Sequence, residues 1–239
     1  MQKKVAIITG ASRGIGRAVA LDLAKQGYIL VLIARTAEKL KEVADIIKKS
    51  GGLCDAYPTD ISNFTQIDQI MDSIISKHER VDVLFNNAGI IHRGSENLTH
   101  EQINSVIDIN LKGAIYITNK VIPVMKQQKS GYIINLSSRS GVEGSPGSSV
   151  YSASKFGLVG YSESLFHGLM QDGIKVTAIC PDYVNTDMPQ WISAEKKGLL
   201  IPQEEIVRAI NYLLQSARQT AIKEMVIYCT DCLCGNLPR

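Results

Sequence analysis

Thr9-Gly10-Ala11-Ser12-Arg13-Gly14-Ile15-Gly16 stands between the apolar run Val5-Ala6-Ile7-Ile8 and the helical stretch Arg17–Gln26. A β-branched strand, a glycine-rich turn and a helix start, in that order, form the context in which glycines bind phosphate. They permit a tight turn and close backbone approach, and the helix N-terminus faces the anion. Taken alone, the same residues also suit a plain strand-to-helix turn.

Outward from this turn, short β-branched runs recur near 4–9, 28–34, 53–57, 81–86, 131–137, 174–180 and 224–228, with amphipathic stretches between them. That rhythm is a chain of βαβ units. Tyr28-Ile29-Leu30-Val31-Leu32-Ile33 is continuously apolar, as a strand covered on both faces must be. Helical periodicity is clearest at Ile67, Ile70, Met71, Ile74 and Ile75, and Thr99 with Gln102 forms a capping box. The expected fold class is α/β: a single doubly wound Rossmann-type domain over 1–239, with a mostly parallel seven-stranded sheet and helices on both faces. Residues 139–149 and 185–202 lack periodicity and read as loops.

Bulk properties exclude several function classes. The 239 residues are 45% hydrophobic and 21% charged, ordinary globular usage. The net charge of +3 is spread along the chain, which gives no footprint for nucleic acid or a membrane surface. Met1-Gln2-Lys3-Lys4 runs straight into the first strand, leaving no room for a signal peptide, and no apolar stretch is long enough to span a bilayer. Five cysteines, at 54, 180, 229, 232 and 234, fit reduced thiols and a cytoplasmic location. The cluster Cys229, Cys232 and Cys234 lacks an evident fourth zinc ligand, so no metal site is expected.

The turn's spacing is Gly-x-x-x-Gly-x-Gly. Asp60 follows the third strand, Asn86-Asn87-Ala88-Gly89 the fourth and Ser138 the fifth, while Asn110 and Tyr151-x-x-x-Lys155 sit in helical stretches. In these motifs the chain resembles the short-chain dehydrogenase/reductase family over nearly its whole length, and Thr9–Gly16 is most similar to 3-oxoacyl-[acyl-carrier-protein] reductase-like members. The resemblance implies that Ser138 bonds the substrate carbonyl and that Tyr151 gives or takes the proton. It implies that Lys155 also holds the nicotinamide ribose, and that Asn110 completes a proton relay through water. It places Gly10, Ser12, Gly14, Ile15 and Gly16 at the pyrophosphate turn, Asp60 and Ile61 beside the adenine, Asn87 on the adenosine side, and Val184 with Thr186 at the nicotinamide carboxamide. Homodimers or homotetramers are implied as well, through the helix carrying Tyr151. Leu158, Tyr161, Leu165 and Leu169 offer it an apolar face that could equally cover the sheet.

The residues themselves add two readings. Tyr151 and Lys155 lie one helical turn apart, so the ammonium and a helix N-terminus are expected to draw the phenol's pKa down toward a useful range. At the end of the second strand, where an acid would bond a ribose 2′-hydroxyl, stands Arg35, and Arg13 adds a second cation. Together they suit the 2′-phosphate of NADP(H). The expected function is an NADPH-dependent oxidoreductase transferring hydride between nicotinamide and a ketone or secondary alcohol, with 3-oxoacyl thioesters among the candidates.

One departure is Pro181-Asp182, where the family has Pro-Gly. Asp182 either points to solvent or meets substrate, and in the second case would favour a polar or cationic ketone. The unpatterned 185–202, with Met188, Pro189, Trp191 and Ile192, is the substrate-covering segment. With only a short tail after the last strand, an open pocket is expected. Two rivals stand beside this reading: a serine hydrolase built on Gly10-x-Ser12-x-Gly14, and a catalytically silent NADP-binding sensor.

Overall fold

The computed structural model describes residues 3–189 and 191–237. Its strands are β1 (Val5–Thr9), β2 (Ile29–Ala34), β3 (Leu53–Pro58), β4 (Val83–Asn86), β5 (Gly131–Leu136), β6 (Ile174–Pro181) and β7 (Glu224–Ile227). They pair in the order β3-β2-β1-β4-β5-β6-β7, and every pairing is parallel, so the sheet is wholly rather than mostly parallel.

Side-chain alternation sorts the core into two layers. Ala6, Ile8, Leu30 and Leu32 point to one face, where they meet Val19 and Leu23 of α1 (Gly14–Lys25), Leu40 and Val43 of α2 (Ala37–Lys49), and Ile206 and Ile210 of α7 (Gln203–Gln215). Val5, Ile7, Val31 and Ile33 point to the other, against Ile67, Met71 and Ile74 of α3 (Phe64–His78) and Ile117, Val121 and Met125 of α5 (Gly113–Gln128). A slip of one residue in register would exchange the two sets. Each fully buried Leu or Ile contributes about 1.5–3 kcal/mol, so the register is strongly specified.

α4 (His100–Ile107) is opened by the Thr99/Gln102 capping box and runs into a π-helical turn, Asp108–Lys112, before α5. α6 (Ser149–Leu169) carries the Tyr-x-x-x-Lys pair, and a short α8 (Thr230–Leu233) follows β7. Of the stripe on α6, Leu158 and Leu169 are buried, Leu165 packs on the α3/α5 layer and Tyr161 is half-buried, while Tyr116 and Phe156 remain exposed on α5 and α6. The segment 185–202 is less irregular than expected. Val184 bridges Ile201, Asn185 N donates to Ile201 O at 2.8 Å, and residues 194–199 form a 3-10 helix, so the covering segment is pinned at both ends. Among the described residues, no helix is long and apolar enough to cross a membrane.

The chain leaves β1 for β2 on one side and reaches β4 on the other. The crevice beyond the carboxyl ends of β1 and β4 is therefore where an open parallel sheet places a ligand.

Candidate active site

A single cavity runs along that crevice and out over β5 and β6. Of the residues singled out from the sequence, Gly10, Ser12, Arg13, Gly14, Ile15, Arg35, Asp60, Ile61, Asn87, Ser138, Tyr151, Lys155, Val184 and Thr186 all line it. Gly16 and Asn110 do not. Gly16 sits behind the turn, where a Cβ would fall 2.4 Å from the carbonyl oxygen of Gly10. Asn110 is buried behind the end that holds Lys155.

At the first end, Gly10 turns the chain at φ 65°, in the left-handed region where a side chain is strained. Asn87 clasps this turn to β4: its Nδ2 donates to Thr9 O at 2.9 Å and to Gly10 O at 3.2 Å. The N-cap residue of α1, Arg13, makes no side-chain cap bond, and the first turn holds no acid. The helix thus presents uncapped N–H groups and its positive end to the cavity, a cradle that fits a pyrophosphate.

Beyond it stand Arg13, Arg35 and Lys39, all lining the cavity. Arg35 is largely exposed and lies 3.8 Å from Asp60, whose Oδ1 also accepts from Ser62 N and Oγ. Arg13 is 3.8 Å from Asp187. Such loose, exposed pairs are weak and readily exchanged for a phosphate. Lys39 was not evident from the sequence. Its position in the first turn of α2, directly after the strand-end Arg35, is the signal that would have found it.

At the other end, Ser138 ends the stretch after β5, with its Oγ accepting from Ser140 N at 3.1 Å. Ser137 Oγ donates to the backbone carbonyl of Lys155 at 3.0 Å and ties β5 to α6. Lys155 Nζ donates to Leu136 O at 2.7 Å and lies 5.7 Å from the centroid of the Tyr151 ring. Asn110, in the π-helical turn, is held by both edges of its amide: Nδ2 donates to Ile90 O, and Oδ1 accepts from Ile90 N, each at 2.8 Å. A Cβ on Gly89 would stand 3.3 Å from Asn110 Oδ1 and 3.6 Å from Lys155 Nζ, so amide and ammonium converge on one point. A π-turn in this place is a common device for re-aiming one residue of a helix.

The electrostatics correct one expectation. Tyr151 is not drawn down by its neighbour. Burial pushes its phenol up to about 12, and only a hydrogen bond from Ser138 pulls the other way. Burial also lowers Lys155 to about 8. Both groups are taken out of water, and the loss of hydration of each charged form dominates.

Asp182 does not point to open solvent: it lines the cavity, and its charge is paired there. Its side chain is only 3% exposed, Oδ1 lies 3.2 Å from Nε of Arg139, and Oδ2 accepts from Cys229 N at 3.4 Å. Arg139 itself, another cavity residue the sequence did not flag, neutralises the extra carboxylate. Cys229 and Cys232 are buried beside it in the core layer and Cys234 is exposed; among the described residues no cluster of His, Cys, Asp or Glu is arranged to hold a metal. No histidine lines the cavity with Ser12, so a hydrolase lacks its base among the described residues.

Residues 4–197 match the family model described as short chain dehydrogenase. A 3-oxoacyl-[acyl-carrier-protein] reductase of Synechocystis sp. is 37% identical over 218 residues, 88% of either chain. Among solved structures, a β-ketoacyl-[ACP] reductase (FabG) from Bacteroides thetaiotaomicron superposes with a TM-score of 0.85 at 35% identity, covering 98% of this chain and 100% of that one. A metagenomic short-chain oxidoreductase in complex with NADP gives a TM-score of 0.83 at 32% identity, covering 94% and 96%.

Proposed function

The chain belongs to the short-chain dehydrogenase family, and on that premise we propose that it reduces a ketone to a secondary alcohol with NADPH, 3-oxoacyl thioesters being the first substrates to try. The observation that carries this reading is the convergence of Ser138, Tyr151 and Lys155 at one end of a cavity whose other end is an uncapped helix N-terminus ringed by Arg13, Arg35 and Lys39.

NADPH, when bound, supplies the hydride. Gly10, Ser12, Gly14 and Ile15, with Gly16 shaping the turn from behind, would hold its pyrophosphate, Arg13, Arg35 and Lys39 its 2′-phosphate, Asp60, Ile61 and Asn87 its adenosine, and Val184 with Thr186 its carboxamide. Ser138 orients the substrate carbonyl and Tyr151 delivers a proton to its oxygen. A phenol raised to about 12 is fully protonated at neutral pH and ready to donate. Lys155, with Asn110 behind it, positions the ribose and resupplies the proton. The buried, water-poor setting strengthens each of these hydrogen bonds.

The Bacteroides and Synechocystis proteins, named as β-ketoacyl and 3-oxoacyl reductases, support the thioester choice. The NADP complex of the metagenomic relative supports the cofactor. We take residues 1–239 to work as one catalytic domain in the reducing cytoplasm, in keeping with five free cysteines. A second copy is expected on the α5/α6 face, where Tyr116 and Phe156 are exposed, giving a homodimer or homotetramer.

The test is NADPH oxidation against a panel of ketones headed by acetoacetyl thioesters. Turnover of at least one class is expected, with NADH much poorer. NADPH binding with no oxidation across the panel would favour the silent sensor instead.

A further inference from the structure

One charge at the substrate end has no task in the reaction. Arg93, on the segment after β4, lines the cavity with Pro146, Met188, Pro189 and Trp191. Its guanidinium carbon lies 4.7 Å from the centroid of the Trp191 ring, and Trp191 in turn packs edge-on against Tyr183 with centroids 6.1 Å apart. The neighbouring Gly94 donates its N–H to Gly147 O at 2.8 Å and bridges Ser148, so Arg93 is stitched to the loop that leads into Tyr151. Arg93 is exposed, and the stack on Trp191 is what orients its planar fork toward the cavity.

Of the carboxylates at this end, Asp182 is spent on Arg139 at 3.2 Å, and Asp187 is exposed and faces Arg13 of the glycine turn at 3.8 Å. Among the described residues, no carboxylate pairs with Arg93, and the buried Nε1–H of Trp191 has no hydrogen-bond acceptor. A guanidinium fork stacked on the ring that carries this unpartnered N–H, both residues lining the cavity, matches the oxygens of a carboxylate or phosphate.

We propose that Arg93 is a specificity residue and that the ketone this site reduces carries an anionic group, a carboxylate or a phosphate, received by Arg93 on its Trp191 shelf. This deepens the reductase reading and rests on it for the word ketone. It also runs against a cationic substrate at Asp182, whose carboxylate is already paired with Arg139.

Trp191 is the only tryptophan in the chain, so its emission reports directly on Arg93. The experiment titrates the NADP+-loaded protein with two matched pairs: 4-oxopentanoate against its methyl ester, and 2-oxopropylphosphonate against its dimethyl ester. For at least one pair, the anion is expected to change Trp191 emission saturably at concentrations about tenfold or more below the ester, about 1.4 kcal/mol. Which pair responds tells carboxylate from phosphate. Arg93→Gln should erase that preference, Arg93→Lys should keep part of it, and turnover of the neutral members should change less than about twofold. Equal binding of anion and ester in both pairs, or a preference that survives Arg93→Gln, overturns the proposal. Emission needs no turnover, so failure to reduce any ketone would strike the reductase reading and leave the anion result to stand or fall by itself.

Discussion

Replacing Asp182 with alanine strands Arg139. In the native protein their contact is short, 3.2 Å, with side chains 3% and 14% exposed. Removing one partner of a buried ion pair costs about 3–5 kcal/mol, since the survivor keeps its desolvation penalty and loses its compensation. Arg139 retains some access to water and can partly turn toward Glu143, 3.9 Å away, so the low end, about 3 kcal/mol, applies. For a chain of 239 residues each kcal/mol moves Tm by about 2–4 °C, which gives a drop of about 6–12 °C in calorimetry without cofactor. The double variant Asp182→Ala/Arg139→Met removes the stranded charge and refills its volume, and should recover at least half of the loss. A single variant that melts within about 2 °C of wild type, or a double variant no better than the single, would refute the account of Asp182 as a structural ion-pair partner.

Arg35→Asp should move the cofactor preference from NADPH toward NADH by about tenfold or more in kcat/KM, since it removes a phosphate partner and installs the acid a ribose hydroxyl prefers. Equal use of both cofactors by the wild type would sink that reading. Stability should also respond to pH through Lys155. Its pKa in the fold is about 8 against an ordinary 10.5, so between these values the unfolded chain binds more protons and stability rises with pH. Tyr151 works in the opposite sense above about pH 10, where the unfolded phenol ionises and the folded one does not. The gain therefore appears between about pH 8 and 10, as a rise in Tm of wild type relative to Lys155→Met. Parallel Tm curves for the two proteins across that window would contradict it.

Much of this molecule is legible in its residues. Continuous apolar strands such as Ile29–Ala34 declare a sheet covered on both sides, and Gly10, Gly14 and Gly16 between strand and helix declare the phosphate turn. Motif spacing brings Ser138, Tyr151 and Lys155 to one place because βαβ topology returns every strand end to the same edge of the sheet. What spacing cannot convey is burial. The phenol rises instead of falling because both members of the Tyr151/Lys155 pair lie out of water, which depends on side chains distant in sequence. Asp182 finds Arg139, 43 positions earlier, across β5 and β6. Arg93 meets Trp191, 98 positions later, across the cavity that both line. Nor does sequence distinguish a helix stripe facing a partner from one facing the sheet: Leu158 and Leu169 read identically until the fold buries them.

The most direct measurement of the central claim follows the hydride itself. Acetoacetyl thioester is incubated with NADPH deuterated at both C4 positions, using wild type and Tyr151→Phe, and the alcohol is read by mass spectrometry and NMR. The wild type should give product with one deuterium on the former carbonyl carbon. Tyr151→Phe should lose turnover by about a hundredfold or more while binding NADPH nearly as well, because the ring remains and only the donated proton is gone. Product without deuterium, or more than about a tenth of wild-type turnover left in Tyr151→Phe, would contradict the account.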